Sequence, residues 1–428
     1  MTRISASQRS SPDGDAARTF ARRSPFAAVL PAIVVAVGYL GVTIGWVLFG
    51  SGLPGGRWFA VHVFTLGVLT NAILAFSDHF ARTVTRTPGD GPSGWWLVAA
   101  NVGILALLAG LPTRWLPGLA GGAVVVSGVV VANWWRLRGM RRAAVGARFA
   151  WIVRDYEQAH GAFVHGAVLG ALLGVGVVTG PWYGAVRLAH LHAMVLGWGG
   201  LTLLATLVFF GPTMARTRIE PGADARAVRA LRHGATGLSV ATLALIGVGA
   251  GGGWGTAARF VATVGLTVHA VAAIVVLAPV ATAAWRAKPS GPRGHVIAVA
   301  GWFALVVVAD VVVVATGSWR WLDAVGLIAL AGVLAQAVVT TLLYLGPMFR
   351  AGDGALREAV RQRLERGRTV RLVVVQGAVA WIAVGALPIG LPGMVPWLPW
   401  TLLGGVLLGA LVAVARPVRP ASHEVAAT

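Results

Sequence analysis

The stretch HLHAMVLGWGGLTLLATLVFFGPTMARTR (190–218) decides the fold. Between His192 and Arg216 it carries no charged side chain. At about 1.5 Å of rise per residue, such a run crosses the roughly 30 Å hydrocarbon core of a bilayer as one helix. The chain around it repeats the pattern. Apolar stretches of about 18 residues or more, separated by charged or Pro/Gly-rich breaks, begin near residues 26, 58, 94, 115, 159, 187, 234, 257, 294, 321, 370 and 394. The expected fold class is therefore all-α integral membrane, with about 12 transmembrane helices.

Composition points the same way. Of 428 residues, 57% are hydrophobic and 11% charged, where soluble globular chains carry about 25% charge. The 58 glycines suit close helix approach and the 18 tryptophans suit the two interfaces. Loops are too short for a soluble domain. The expected organisation is a basic tail (1–25), one membrane domain (26–416) and a second tail (417–428). The apolar run after residue 25 lacks an A-x-A cleavage site and reads as a retained first span.

The net charge of +21 comes from 35 Lys+Arg against 14 Asp+Glu. Thirty of those basic residues fall on alternate connecting segments, counting both tails. The six intervening loops share only Arg57, Arg114, Arg187, Arg259 and Arg320. Such a bias places both termini in the cytoplasm of a cell membrane and assigns the charge to the bilayer rather than to nucleic acid. Zero cysteines exclude disulfides, thiolate metal sites, iron–sulfur clusters and thiol catalysis.

Aligning the chain with itself so that His62 falls on His192 also superposes Gly67 on Gly197, Leu74 on Leu204, Phe80 on Phe210 and Arg86 on Arg216. A second alignment, with Gly197 on Gly332, superposes Thr206 on Thr341, Gly211 on Gly346 and Pro212 on Pro347. Both offsets equal four spans, so the expected architecture is three pseudo-repeated four-helix units, about 26–138, 159–285 and 294–416. This disfavours a transporter built from two six-span halves.

Histidine in a bilayer is costly and usually faces the bundle interior. His62, His190 and His192 fall near the outer ends of spans two and six. His190 and His192 differ by about 200° on a helix, so they address different sites. His62 could face one of them across the bundle, the arrangement a bis-histidine heme requires, with His62 and His192 the first pair for the iron. Gly67 and Gly197 would admit a flat macrocycle or a close helix. His160 and His165, at the inner end of span five, read mainly as structural, with metal ligation as the alternative. Asp310 reads as the only carboxylate clearly inside a span. It lies at the depth of His269, and either the two pair as a midplane polar site or Asp310 stays neutral on a backbone carbonyl. Asn71, Asn101, Asn133, Gln336 and Gln376 read as interhelical hydrogen-bond partners.

These residues resemble a family. Twelve spans in three four-helix arcs, with histidines entering spans two and six, look like the catalytic subunit of heme–copper oxidases and its NnrS-like relatives. The segment HLHAMVLGW (190–198) is similar to the H-x-H-x-M-x-x-G-[FW] element of NnrS proteins. The stretches 62–80 and 190–218 look like the membrane module that accompanies multicopper oxidases and copper nitrite reductases in some actinobacteria. The resemblance implies heme b on His62, His190 and His192, a link to electron transfer or nitrogen-oxide metabolism, copper as a second metal, and a periplasmic copper enzyme as partner. The chain departs from a terminal oxidase: span seven offers only His233, and Leu327 stands where the repeat would place a third histidine. A complete copper-plus-heme oxygen site cannot be assembled. The rival readings are a transporter with a midplane His269/Asp310 site and a scaffold that has lost its ligands.

Overall fold

The computed structural model describes residues 28–88, 94–144, 149–349, 354–387 and 397–417. The tail 1–25, the expected start of span one at residue 26, and residues 418–428 with His423 lie outside these. Every regular element among the described residues is helical. Among the described residues, ten helices are long and apolar enough to cross a bilayer. They are α1 (Leu30–Phe49), α2 (Gly56–Thr85), α4 (Leu116–Ala143), α6 (Gly180–Met214), α7 (Ala223–Ala250), α8 (Gly252–Arg286), α9 (Gly291–Thr316), α10 (Trp319–Phe349), α12 (Arg368–Gly385) and α13 (Leu398–Ala415). Two further helices occupy the third and fifth expected spans: α3 (Gly94–Gly110) is a little shorter, and α5 (Trp151–Gly174) is charged at its start. A short amphipathic helix, α11 (Gly354–Glu365), links α10 to α12. The protein is a multi-pass membrane protein.

Local sequence explains the helix starts. Pro31, Pro117, Pro181, Pro292 and Pro399 sit in the first turn of their helices, where the missing N–H has no intrahelical acceptor. The fifth, sixth and seventh helices begin well before the apolar runs that announced them, at Trp151, Gly180 and Ala223. Hydropathy marks the hydrocarbon core, whereas the helix continues past it with polar side chains reaching the interface. This corrects one expectation: Asp78, Asp155 and Glu157 are also buried on helices, beside Asp310.

The repeat is visible in the backbone. α2, α6 and α10 each contain a π-helical segment, Val63–Thr70, Ala193–Leu201 and Ala329–Ala335, at nearly the spacing of the sequence repeat. Each segment carries one of the superposed glycines. A Cβ on Gly67 would run into the Tyr39 ring of α1, one on Gly197 would lie 2.6 Å from Ala162 of α5, and one on Gly332 would lie 2.9 Å from Trp302 of α9. In every unit, the first helix thus packs on the π segment of the second through a glycine. The third and fourth helices of the first two units cross on facing glycines, Gly103 with Gly122 and Gly237 with Gly265. In lipid, close packing of this kind replaces the hydrophobic drive that water supplies to soluble bundles.

α6 and α10 are the most enclosed helices, with 61% of their most apolar windows buried, while α1 and α12 bury 22%. α2, α6 and α10 surround a narrow apolar cavity of about 180 Å³, lined also by α1, α5 and α13. α13 packs back on α1, so the three units close on themselves.

Candidate functional site

Two histidine sites lie on opposite sides of the α6 backbone. At His62, immediately before the π segment of α2, Nδ1 donates to the Trp58 carbonyl at 2.8 Å and the ring stacks on Trp58. At His190, Nδ1 donates to the Gly166 carbonyl of α5 at 2.7 Å. The absent side chain of Gly170 leaves space for this ring, since a Cβ there would lie 2.7 Å from it. A carbonyl can only accept, so both Nδ1 atoms carry the proton and both Nε2 atoms present a lone pair in the neutral form. The two ring centres are 6.4 Å apart and their planes 9° from parallel. Neither Nε2 makes a hydrogen bond to the described residues, and both rings are half-buried.

His192 turns the other way. Its Nδ1 contacts the Leu188 carbonyl at 2.8 Å, and its Nε2 lies 3.0 Å from each carboxylate oxygen of Asp310 on α9. Both side chains are almost fully buried. With an acceptor at each ring nitrogen, the pair is held together by a shared proton, as imidazolium with carboxylate or as imidazole with carboxylic acid. His269 on α8 sends Nδ1 to the Gly234 carbonyl of α7 at 3.1 Å. Its Nε2 is buried with no partner among the described residues.

Two pairings expected from sequence change accordingly. The ring facing His62 belongs to His190, not His192, because side chains two positions apart on a helix point to nearly opposite sides, which aims His192 at α9. The hydrogen-bond partner of Asp310 is His192, not His269, because equal depth on two helices does not fix their rotation. Nor do Gly67 and Gly197 leave a slot for a macrocycle, since neighbouring helices fill both positions.

His160 is a fully buried structural residue: Nδ1 donates to the Tyr156 carbonyl, and Nε2 accepts from the Asn133 amide of α4 at 2.9 Å. His165 lies apart from it and lines a cleft between α5 and α7. The amides join helices as expected. Asn71 and Asn101 exchange hydrogen bonds between α2 and α3. Gln336 contacts His295 across α9 and α10, and Gln376 accepts the Trp302 indole N–H.

The charged layer at the basic side was missed in the sequence. Asp78 is fully buried and bridges Arg82 at 2.8 Å and Arg136 of α4 at 2.6 Å. Glu157 pairs with Arg141 at 2.5 Å. The i, i+4 spacing of Asp78 and Arg82 was the available signal; the cross-helix partner Arg136 left none.

Among the described residues, no group of three or more His, Asp or Glu side chains is placed to hold a metal ion. A two-ligand axial site is not subject to that condition. No protein-family model and no curated protein matches the chain.

Proposed function

We propose that this is a heme-binding membrane protein, in which His62 and His190 would hold the iron, acting in electron transfer or nitrogen-oxide metabolism. The observation that carries the reading is the facing pair of parallel imidazoles. The ring centres lie 6.4 Å apart with their planes 9° from parallel, within reach of one metal ion that both imidazoles would hold. The donor set fits as well. Each Nδ1–H is engaged by a backbone carbonyl, which fixes the tautomer and aims the Nε2 lone pair, as ligating histidines require. With no cysteine in the chain, thioether attachment is excluded and the group is held without covalent bonds, as heme b is.

When bound, the iron supplies one-electron chemistry. The chain's own part is to orient two neutral imidazoles through Trp58 and Gly166 and to seat His190 against Gly170. The basic bias puts both termini in the cytoplasm and this site near the outer face. The resemblance extends the proposal to a periplasmic multicopper oxidase or copper nitrite reductase as partner. An absorption spectrum of protein purified from heme-replete cells tests the reading. The expected result is a six-coordinate low-spin spectrum that His62→Ala and His190→Ala each abolish or convert while His192→Ala keeps it. Absence of a Soret band refutes it.

A second reading has its own observation. The His192–Asp310 pair, with the unpartnered Nε2 of His269, is a buried titratable site on α6, α8 and α9, and intramembrane acids of this kind mark proton or substrate paths in transporters. Purified protein that carries no heme but supports proton-coupled uptake in vesicles would favour it.

A further inference from the structure

A cleft of about 460 Å³ lies between α5 and α7, floored by α4 and α6. Its lining is largely apolar, from residues such as Ala162, Leu201 and Leu238, but polar side chains recur along it: Trp134, Arg154, Gln158, His165, Ser239 and Thr242. Arg154 stands in the first turn of α5, on the side that carries the basic loops. Further along the same helix, His165 stands about 9 Å, at the helical rise, inside the apolar run that begins near residue 159, within a core roughly 30 Å thick. Glu157, also on the lining, pairs with Arg141.

Several of the lining groups have no protein partner among the described residues although the atoms concerned are buried: Arg154 Nε and Nη2, Gln158 Oε1, His165 Nε2 and Trp134 Nε1. Buried polar atoms in native proteins are almost always hydrogen-bonded, and where side chains do not serve them water does. Acyl chains cannot. At about 30 Å³ per water molecule the cleft has room for more than ten, and it offers the two to four polar contacts each ordered water needs. We propose that the cleft is a hydrated half-channel that opens on the basic face and carries water, with the protons it exchanges, to His165 inside the hydrocarbon core.

The chain contains no cysteine, so single cysteines can be read without background. His165→Cys, Ser239→Cys and Thr242→Cys, with Val168→Cys and Val240→Cys as exposed apolar controls on the same two helices, would be treated with a charged, membrane-impermeant methanethiosulfonate in vesicles of both orientations. Arg142→Cys marks the basic face. The crevice positions should react from that face about tenfold or more faster than the controls, because only the thiolate reacts and hydrocarbon suppresses it. If His165→Cys disturbs insertion, the two helix-α7 positions carry the test. Reaction no faster than at Val168→Cys, reaction only with a lipid-soluble maleimide, or reaction only from the opposite face would overturn the proposal. None of these outcomes depends on heme, so failure here is separable from failure of the heme reading.

Discussion

Removing Asp310 should damage the protein more than removing Asp310 and His192 together. The two side chains are 5% and 3% exposed, and Nε2 meets both carboxylate oxygens at 3.0 Å. Asp310→Ala strands His192 in the bundle with a contact it cannot replace. Breaking a buried pair from one side costs about 3–5 kcal/mol, whereas replacing both members by apolar residues of similar size is often neutral or stabilising. Interhelical hydrogen bonds in membranes are worth less, about 0.6 kcal/mol on average and 1.7 at most, so a loss near 3 kcal/mol would mark the shared charge rather than the hydrogen bond alone. Unfolding in mixed micelles, followed by circular dichroism, would give three values, for Asp310→Ala, His192→Leu and the His192→Leu/Asp310→Leu double variant. The double should lie closer to the parent than Asp310→Ala does. A loss below about 1 kcal/mol for Asp310→Ala, or a double-variant loss equal to the sum of the singles, would refute the pairing.

Cysteines placed singly at Trp115 and Arg142, at the two ends of α4, should label from opposite sides of the membrane; identical labelling would end the alternating topology. Gly197→Val should cost about 1–3 kcal/mol by overpacking, since even its Cβ would meet Ala162 at 2.6 Å, whereas Gly184→Ala on the same helix meets nothing within 4 Å and should leave thermal stability unchanged. Asp78→Ala removes the buried carboxylate that Arg82 and Arg136 share and should lose about 1.5–3 kcal/mol, seen as a reduced folded fraction in detergent; Glu358→Ala, at an exposed carboxylate of α11, serves as the control and should change little.

The fold was legible because its determinants are local and redundant. A run such as 193–215 must be helical in lipid, and the alternating arginines repeat the same message at every loop. The repeat was legible for a related reason: Gly67, Gly197 and Gly332 each admit a neighbouring helix, so the same steric demand recurs at the same spacing. Interhelical amides were also foreseen, because an amide in hydrocarbon has few alternatives to a partner. The site was only half legible. Sequence located His62, His190, His192, His269 and Asp310, since a costly residue in a span announces itself. It did not pair them, because pairing depends on the rotation of each helix about its axis, and in a bundle this is fixed by small residues spread over several neighbours. The crevice left still less trace, since Gln158, Ser239 and Thr242 are ordinary residues whose meaning comes only from facing one another.

The repeat itself explains why superposed histidines do not bind one ion together. In a heterologous ring each unit meets the next through unlike surfaces, and the first two units follow that pattern. His62 of the first unit accordingly faces the second unit, where it meets His190. His192, its equivalent in the second unit, faces the third, where it meets Asp310. Leu327, the third equivalent, departs from that pattern: apolar, it packs within its own unit, in the cluster that joins α12 and α13. One position in three copies has thus diverged into a candidate ligand, a buried acid–base pair and a packing contact. The residue that completes each contact, His190 or Asp310, comes from outside the repeat-equivalent set, so sequence equivalence finds one half of each site and the structure is needed for the other.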